Sequence, residues 1–159
     1  MLNAQERERY DRQIMIEAIG EKGQEKLQKA KVLIAGVGGL GSPIAIYLAA
    51  AGIGTLRIVD QDVVDRSNLN RQVLHWEEDL QRPKVDSAVE KLKKLNPHIT
   101  VEALQQTITE ENIMDLSSGM DAIVDAMDNL PIRYLLNRQA IQDNIPFFHG
   151  AVRGFEGRA

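Results

Sequence analysis

The sequence contains no cysteine, which removes disulfides, thiolate zinc sites and a cysteine nucleophile from this chain. Basic residues are outnumbered: 19 Lys and Arg stand against 23 Asp and Glu, for a net charge of -4. That balance argues against general nucleic-acid affinity, which needs a basic face to neutralise phosphates. No apolar run approaches the roughly 20 residues that a membrane span requires. The opening MLNAQERERYDRQ is polar and lacks the apolar centre of a secretory signal. No internal repeat and no low-complexity segment is present. The expectation from these absences is a cytoplasmic protein without a membrane or nucleic-acid partner. What remains is ample for a core: 159 residues, 43% of them hydrophobic and 26% charged, suit one domain of ordinary size.

The chain divides by pattern. Residues 1–29 are polar with a thin apolar set (Leu2, Ile14, Met15, Ile16, Ile19, Leu27), which predicts one or two short helices forming an N-terminal arm in place of a core layer. From residue 30 onward a single nucleotide-binding domain is expected. Val32 to Ala35 is a continuous apolar run ending in glycines, the pattern of a buried parallel strand. Residues 43–51 read as a helix stopped by Gly52, and 55–60 as the next strand. Residues 61–82 are polar and too long for an ordinary connection, so they are expected to be functional. Pro83 opens an amphipathic helix that Asn96-Pro97 ends. A strand over 99–104, a short helix over 109–117, a buried strand over 122–126, a helix over 131–143 and a last strand over 146–152 follow. Alternating strands and helices predict an α/β fold, a Rossmann-like, doubly wound and mainly parallel sheet.

The turn after the first strand is Gly36-Val37-Gly38-Gly39-Leu40-Gly41-Ser42, a G-x-G-x-x-G between strand and helix. Such a turn brings backbone N–H groups and a helix N-terminus up to a phosphate; the alternative is a turn used only for tight packing. Asp60, closing the second strand, is placed to accept hydrogen bonds from ribose hydroxyls. The motif alone does not separate NAD, FAD and ATP. The segment SNLNRQ adds Asn68, Asn70, Arg71 and Gln72, in which a guanidinium can hold phosphate bidentately and the amides can reach ribose or phosphate. A solvated loop with Asx turns is the alternative there.

Lys84 stands in the first turn of a helix, where the dipole disfavours a cation unless an anion neutralises it. Asp128 suits Mg²⁺, which takes one or two carboxylates plus phosphate oxygens, although Asp128 or Asn129 could equally cap the following helix. Asp125 is placed as a buried, hydrogen-bonded carboxylate. Of the three histidines, His149 reads as structural, and Trp76, beside His75, as the packing anchor of the long loop.

Taken in order, the motif Arg9-Tyr10-Asp11-Arg12-Gln13, the turn GVGGLGS, IVDQDVVD, SNLNRQ, RPK at 82–84 and MDN at 127–129 resemble the ThiF/MoeB/HesA family, bacterial relatives of ubiquitin-activating E1 enzymes. The resemblance implies an enzyme that uses ATP and Mg²⁺ to adenylate the C-terminal glycine of a ubiquitin-like sulfur-carrier protein. It implies that Gly39, within the set Gly36, Gly38, Gly39 and Gly41, lies against the nucleotide and that Asp60 holds the ribose. Asn68, Arg71 and Lys84 would bind ribose and phosphates, with Asn70, Gln72 and Asn129 beside them, and Asp128 would hold the metal. Arg12 would reach the site of the neighbouring subunit in a homodimer, joining Arg71, Lys84 and Asp128 as the catalytic set. The family pattern also implies further chain with Cys-x-x-Cys zinc pairs, so this sequence is expected to be the nucleotide-binding part of a longer protein. An NAD-dependent oxidoreductase domain and a non-catalytic nucleotide-binding domain are the alternatives; the first gives no task to Arg71, Lys84 or Asp128.

Overall fold

A computed structural model describes the whole chain, Met1–Ala159. Five parallel strands form the central sheet: β1 (Lys31–Ala35), β2 (Thr55–Val59), β3 (Thr100–Leu104), β4 (Ala122–Asp125) and β5 (Phe147–His149), in the order β3-β2-β1-β4-β5. Helices α3 (Gly41–Ala51), α4 (Lys84–Leu95), α5 (Ile113–Ser117) and α6 (Leu130–Asp143) make the crossovers. Two short helices, α1 (Ala4–Ile14) and α2 (Gly20–Leu27), precede them. The fold is the Rossmann-like α/β sheet that the alternating pattern predicts.

Alternate side chains of β1 face opposite ways, as a two-residue period demands. Val32 and Ile34 enter a core with Ala45, Ala49, Ala88 and Leu92 from α3 and α4. Leu33 and Ala35 enter a second core with Leu116, Leu135, Leu136 and Ala140 from α5 and α6. A strand buried on both faces must be apolar throughout, which is why VLIA carries no polar residue. Strand order reverses between β1 and β4, so the crevice that receives ligands in such sheets opens beyond Ala35 and Asp125, which are register partners.

The N-terminal arm is docked by polar anchors. Tyr10 is 1% exposed, and a Cβ on Gly52, at the C-terminal cap of α3, would come 2.5 Å from its phenol oxygen. Asn96 Nδ2 donates to that oxygen (2.8 Å), and the fully buried Gln24 donates to Ala51 O (2.9 Å).

Two expectations are corrected. Residues 146–152 do not form one strand: β5 stops at His149, and β6 (Ala151–Arg153) pairs antiparallel with β7 (Glu156–Arg158). The neighbouring β4 ends at Asp125, opposite His149, so beyond Gly150 the chain has no strand to continue beside. Trp76 is not the loop's anchor either. Its ring is half exposed with Lys91 Nζ 4.7 Å above it, whereas His75 is the buried member of the pair. The polar imidazole wins the interior because both of its nitrogens find partners there.

Candidate active site

At the carboxyl ends of β1, β2 and β4 lies a cleft of about 1240 Å³. Gly36, Gly38, Gly39, Asp60, Arg71, Gln72, Lys84, Asp128 and Asn129 all line it.

The glycine turn forms the floor. Gly36 adopts φ +86°, and a Cβ on Gly41 would fall 2.0 Å from Gly36 O, so the fold itself requires glycine at these two positions. Gly38 and Gly39 differ. A Cβ there would meet only side-chain atoms of Gln72 at 3.4 Å and Arg71 at 3.6 Å, ordinary contact distances. No protein atom demands glycine at these two positions, and their bare backbone leaves room for a close-lying ligand.

Asp60 braces the turn. Its Oδ2 accepts from Val37 N (2.9 Å) and its Oδ1 from Asp62 N (2.9 Å), which leaves each oxygen a further lone pair for a hydroxyl donor. Gln72 is buried, and its Oε1 has no hydrogen-bond partner within the chain, an uncompensated acceptor beside the turn. Arg71 is exposed, with Nη1 donating to Ser67 O (3.0 Å) and Asn70 Oδ1 (3.1 Å); its remaining N–H groups are free for an oxyanion.

Lys84 is 5% exposed and does have the anion that its position at a helix start calls for: Asp62 Oδ2, at 2.8 Å. That carboxylate is a site residue the sequence reading left unassigned. Asp128 is exposed and makes no hydrogen bond within the chain, while Asn129 Oδ1 caps α6 by accepting from Ile132 N (3.1 Å). The capping role therefore falls to Asn129, and the Asp128 carboxylate stands unengaged on the cleft wall. No three His, Asp or Glu side chains converge on one point. A single carboxylate would fit Mg²⁺ beside phosphate oxygens and water.

Four expected residues do not line the cleft, and the first is Gly41, which packs against Gly36 O. Asn68 Oδ1 accepts from Asp65 N (3.2 Å), closing a turn, and Asn70 serves Arg71; neither lines the cleft. The amide oxygens of both are engaged in local backbone and side-chain bonding, as Asn in turns commonly is. Arg12 is exposed on α1, with Asp11 3.8 Å from its Nε, and it too is absent from the cleft wall of its own chain.

A buried polar chain supports the turn from behind. His75 Nε2 lies 3.0 Å from Val37 O and Nδ1 2.8 Å from Ser87 Oγ. A carbonyl only accepts, so Nε2 carries the proton and Nδ1 accepts from the Ser87 hydroxyl. Lys91 donates to Ser87 Oγ (3.3 Å) and to the buried Asp79. Burial holds the His75 pKa below its ordinary value, with the Val37 hydrogen bond opposing the shift. Burial pushes Asp79 up, but hydrogen bonds from Lys91 and the Trp76 backbone hold its carboxyl below the usual range.

Asp125, fully buried at the end of β4, accepts from Met127 N (3.0 Å) and lies 2.8 Å from His149 Nδ1 and 3.0 Å from Arg133 Nε. The sequence marked it as a hydrogen-bonded interior group. Arg133 was missed, and its only sequence signal is a cation one helical turn past the cap of α6.

The ThiF family model matches residues 10–159. The chain is 44% identical over 158 residues to the SAMP-activating enzyme E1 of Haloferax volcanii, covering 99% of this chain and 58% of that protein. It is 43% identical over 150 residues to the sulfur carrier protein ThiS adenylyltransferase of Escherichia coli, covering 94% of this chain and 60% of that one. Among solved structures, the Escherichia coli tRNA N6-threonylcarbamoyladenosine dehydratase TcdA in complex with ATP superposes with a TM-score of 0.91 at 26% identity, covering 98% of this chain and 64% of that chain. The chain thus spans a little over half the length of these relatives.

Proposed function

The chain belongs to the ThiF family, and from that premise we propose that it supplies the ATP site of an adenylyltransferase acting on a ubiquitin-like sulfur-carrier protein. The observation that carries this reading is the pairing, in one cleft, of a glycine turn with two uncovered glycines and a wall holding two cations for phosphate, Arg71 and Lys84, and a free carboxylate for a metal, Asp128. An NAD-dependent dehydrogenase needs the turn and Asp60 but has no use for that wall. The named activities of the two curated relatives, a carrier adenylyltransferase and an E1, support the same choice.

In the proposed reaction a carboxylate oxygen of the carrier's terminal glycine attacks the α-phosphorus of ATP. The bond to the bridging oxygen of the β-phosphate breaks, pyrophosphate leaves with that electron pair, and an acyl-adenylate remains. The carboxylate is already a nucleophile, so the chain is asked for position and charge neutralisation rather than a covalent step. Asp60 accepts from the ribose, the backbone of Gly38 and Gly39 lies along the nucleotide, and Arg71 and Lys84 face the phosphates. Asp128 would hold Mg²⁺, which when bound neutralises phosphate charge. Arg12, remote from its own cleft, would serve the site of a second copy in a homodimer. A reaction that consumes ATP supports the cytoplasm as the proposed location.

Carrier-dependent exchange of labelled pyrophosphate into ATP, run with each candidate carrier, tests the proposal. Exchange that requires the carrier's intact terminal glycine is the expected result. ATP binding with no exchange for any carrier would reduce the site to nucleotide binding alone.

A further inference from the structure

The ion pair between Lys84 and Asp62 is built unequally. The lysine side chain is 6% exposed and the aspartate side chain 54% exposed, at an Nζ–Oδ2 distance of 2.8 Å. Lys84 cannot carry its charge out to water, because its stem is enclosed at the start of α4. Asp62 can move its carboxylate into solvent by a rotation about its own side chain. Its backbone would not follow: Asp62 N donates to Asp60 Oδ1 (2.9 Å), and Asp62 O accepts from Lys84 N (2.9 Å). Both side chains line the same cleft. A buried ammonium needs an anion at all times, since an unpaired charge in the interior is strongly unfavourable.

We infer that Asp62 is a built-in stand-in for phosphate: it holds Lys84 in the free site and is exchanged for a phosphate oxygen when nucleotide binds. The inference rests on the ATP reading of the cleft, and it assigns Asp62 a positioning role which that reading does not contain. Its consequence runs against intuition about acidic site residues. Asp60 and Asp128 each offer a ligand something, a hydroxyl acceptor and a metal ligand. Asp62 competes with the ligand for the one cation it pairs, so its charge raises the stability of the free protein and lowers the affinity for nucleotide. The pair also explains how a lysine is tolerated in the first turn of α4, where the helix dipole opposes it.

The test compares ATP and adenosine binding, by calorimetry, in the wild-type chain, Asp62→Asn, Asp62→Ser and Lys84→Ala, with thermal unfolding of each free protein. Asp62→Asn and Asp62→Ser are expected to bind ATP roughly tenfold more tightly, the worth of one released charge-assisted hydrogen bond. They should bind adenosine as the wild type does, since adenosine has no phosphate to offer Lys84. Their free forms should melt lower, and Asp62→Glu should return ATP affinity toward the wild-type value. If Lys84→Ala weakens ATP binding while Asp62→Asn and Asp62→Ser bind ATP equally or more weakly than wild type, the stand-in role is overturned and the ATP reading survives. A gain for adenosine equal to that for ATP would overturn it too. If the wild-type chain does not bind ATP, or binds it indifferently to Lys84→Ala, the reading of the cleft fails and the inference fails with it.

Discussion

The side chain of Arg71 lies across Gly39, its Cγ 3.6 Å from where a Cβ on that glycine would stand. An alanine fits beneath the arginine without moving it. Two residues further on, a Cβ on Gly41 would stand 2.0 Å from Gly36 O, and nothing flexible is there to yield. The same motif therefore contains one glycine that the protein needs and another that only a ligand would need.

Gly39→Ala should consequently leave the melting temperature within about 2–4 °C of wild type, a change of no more than about 1 kcal/mol. ATP affinity should fall at least tenfold, because the methyl group occupies the space of the nucleotide. Gly41→Ala should unfold the protein or cost several kcal/mol through backbone displacement, about the penalty of forced overpacking or more. Equal melting losses in the two variants, or unchanged ATP binding in Gly39→Ala, would contradict the division.

Tyr10 makes a second separable contribution. Its ring fills the space over Gly52, and its hydroxyl accepts from the buried Asn96. Tyr10→Phe keeps the packing but leaves Asn96 Nδ2 with Ala49 O (2.8 Å) as its remaining acceptor, and should cost about 1 kcal/mol. Tyr10→Ala removes the anchor of α1 and should cost about 3–5 kcal/mol. Urea unfolding of the two variants measures both. A Tyr10→Ala loss no larger than that of Tyr10→Phe would show that the arm is not held by this ring.

The strands were legible because their physics is local. A strand covered on both faces must be a continuous apolar run, and VLIA and AIV announce themselves as such before a glycine turn or an acidic strand end. The hairpin of β6 and β7 was not legible, because whether residues 151–153 extend β5 depends on where β4 stops, a fact written elsewhere in the chain. Site residues divide the same way. Gly36 and Asp60 sit at fixed offsets from strand ends, and both line the cleft. Asp62 and Arg133 carry no periodicity; the partner of Asp62 lies across a long loop, and that of Arg133 back across the turn between β4 and α6. Asn68 and Asn70 are harder to read, because the short polar side chain that suits a phosphate site equally suits a turn, and the bonds their amide oxygens make here are turn bonds.

The buried imidazole of His75 gives stability a pH dependence of definite sign. Burial holds its pKa below the ordinary value of 6.5, and the charged groups around it are Lys84, Asp79 and Asp60. An unfolded chain therefore binds a proton near that value which the folded chain refuses, so protonation favours unfolding. This contribution is complete above about pH 6.5 and is lost progressively as pH falls below it toward the depressed folded value. Urea midpoints between about pH 5 and 7.5 should decline on the acid side for the wild type and decline less for His75→Asn. Parallel profiles for the two proteins would remove His75 as the cause. Loss of the pairing carboxylate Asp79 falls in a separate, more acid window, because its pKa is held below the carboxylate value of 3.8.

Arg12 tests the proposed dimer most directly. It is exposed on α1 and lies off the cleft of its own chain, so Arg12→Ala should leave the melting temperature of the protein essentially unchanged. If a second copy supplies this guanidinium to the phosphates, Arg12→Ala and Arg71→Ala homodimers should each lose most of their carrier-dependent exchange. Mixing them makes heterodimers in which one site has its own Arg71 and the partner's intact Arg12, while the other site has lost both. With random assortment in an equal mixture, half the dimers are mixed and each holds one intact site. About a quarter of the wild-type activity should therefore return, as symmetric sharing of a site requires. Recovery should appear only after subunit exchange and should saturate at that level. No recovery on mixing, or a protein that sediments as a monomer while retaining full exchange activity, would place Arg12 outside the catalytic set and leave α1 with a docking role alone.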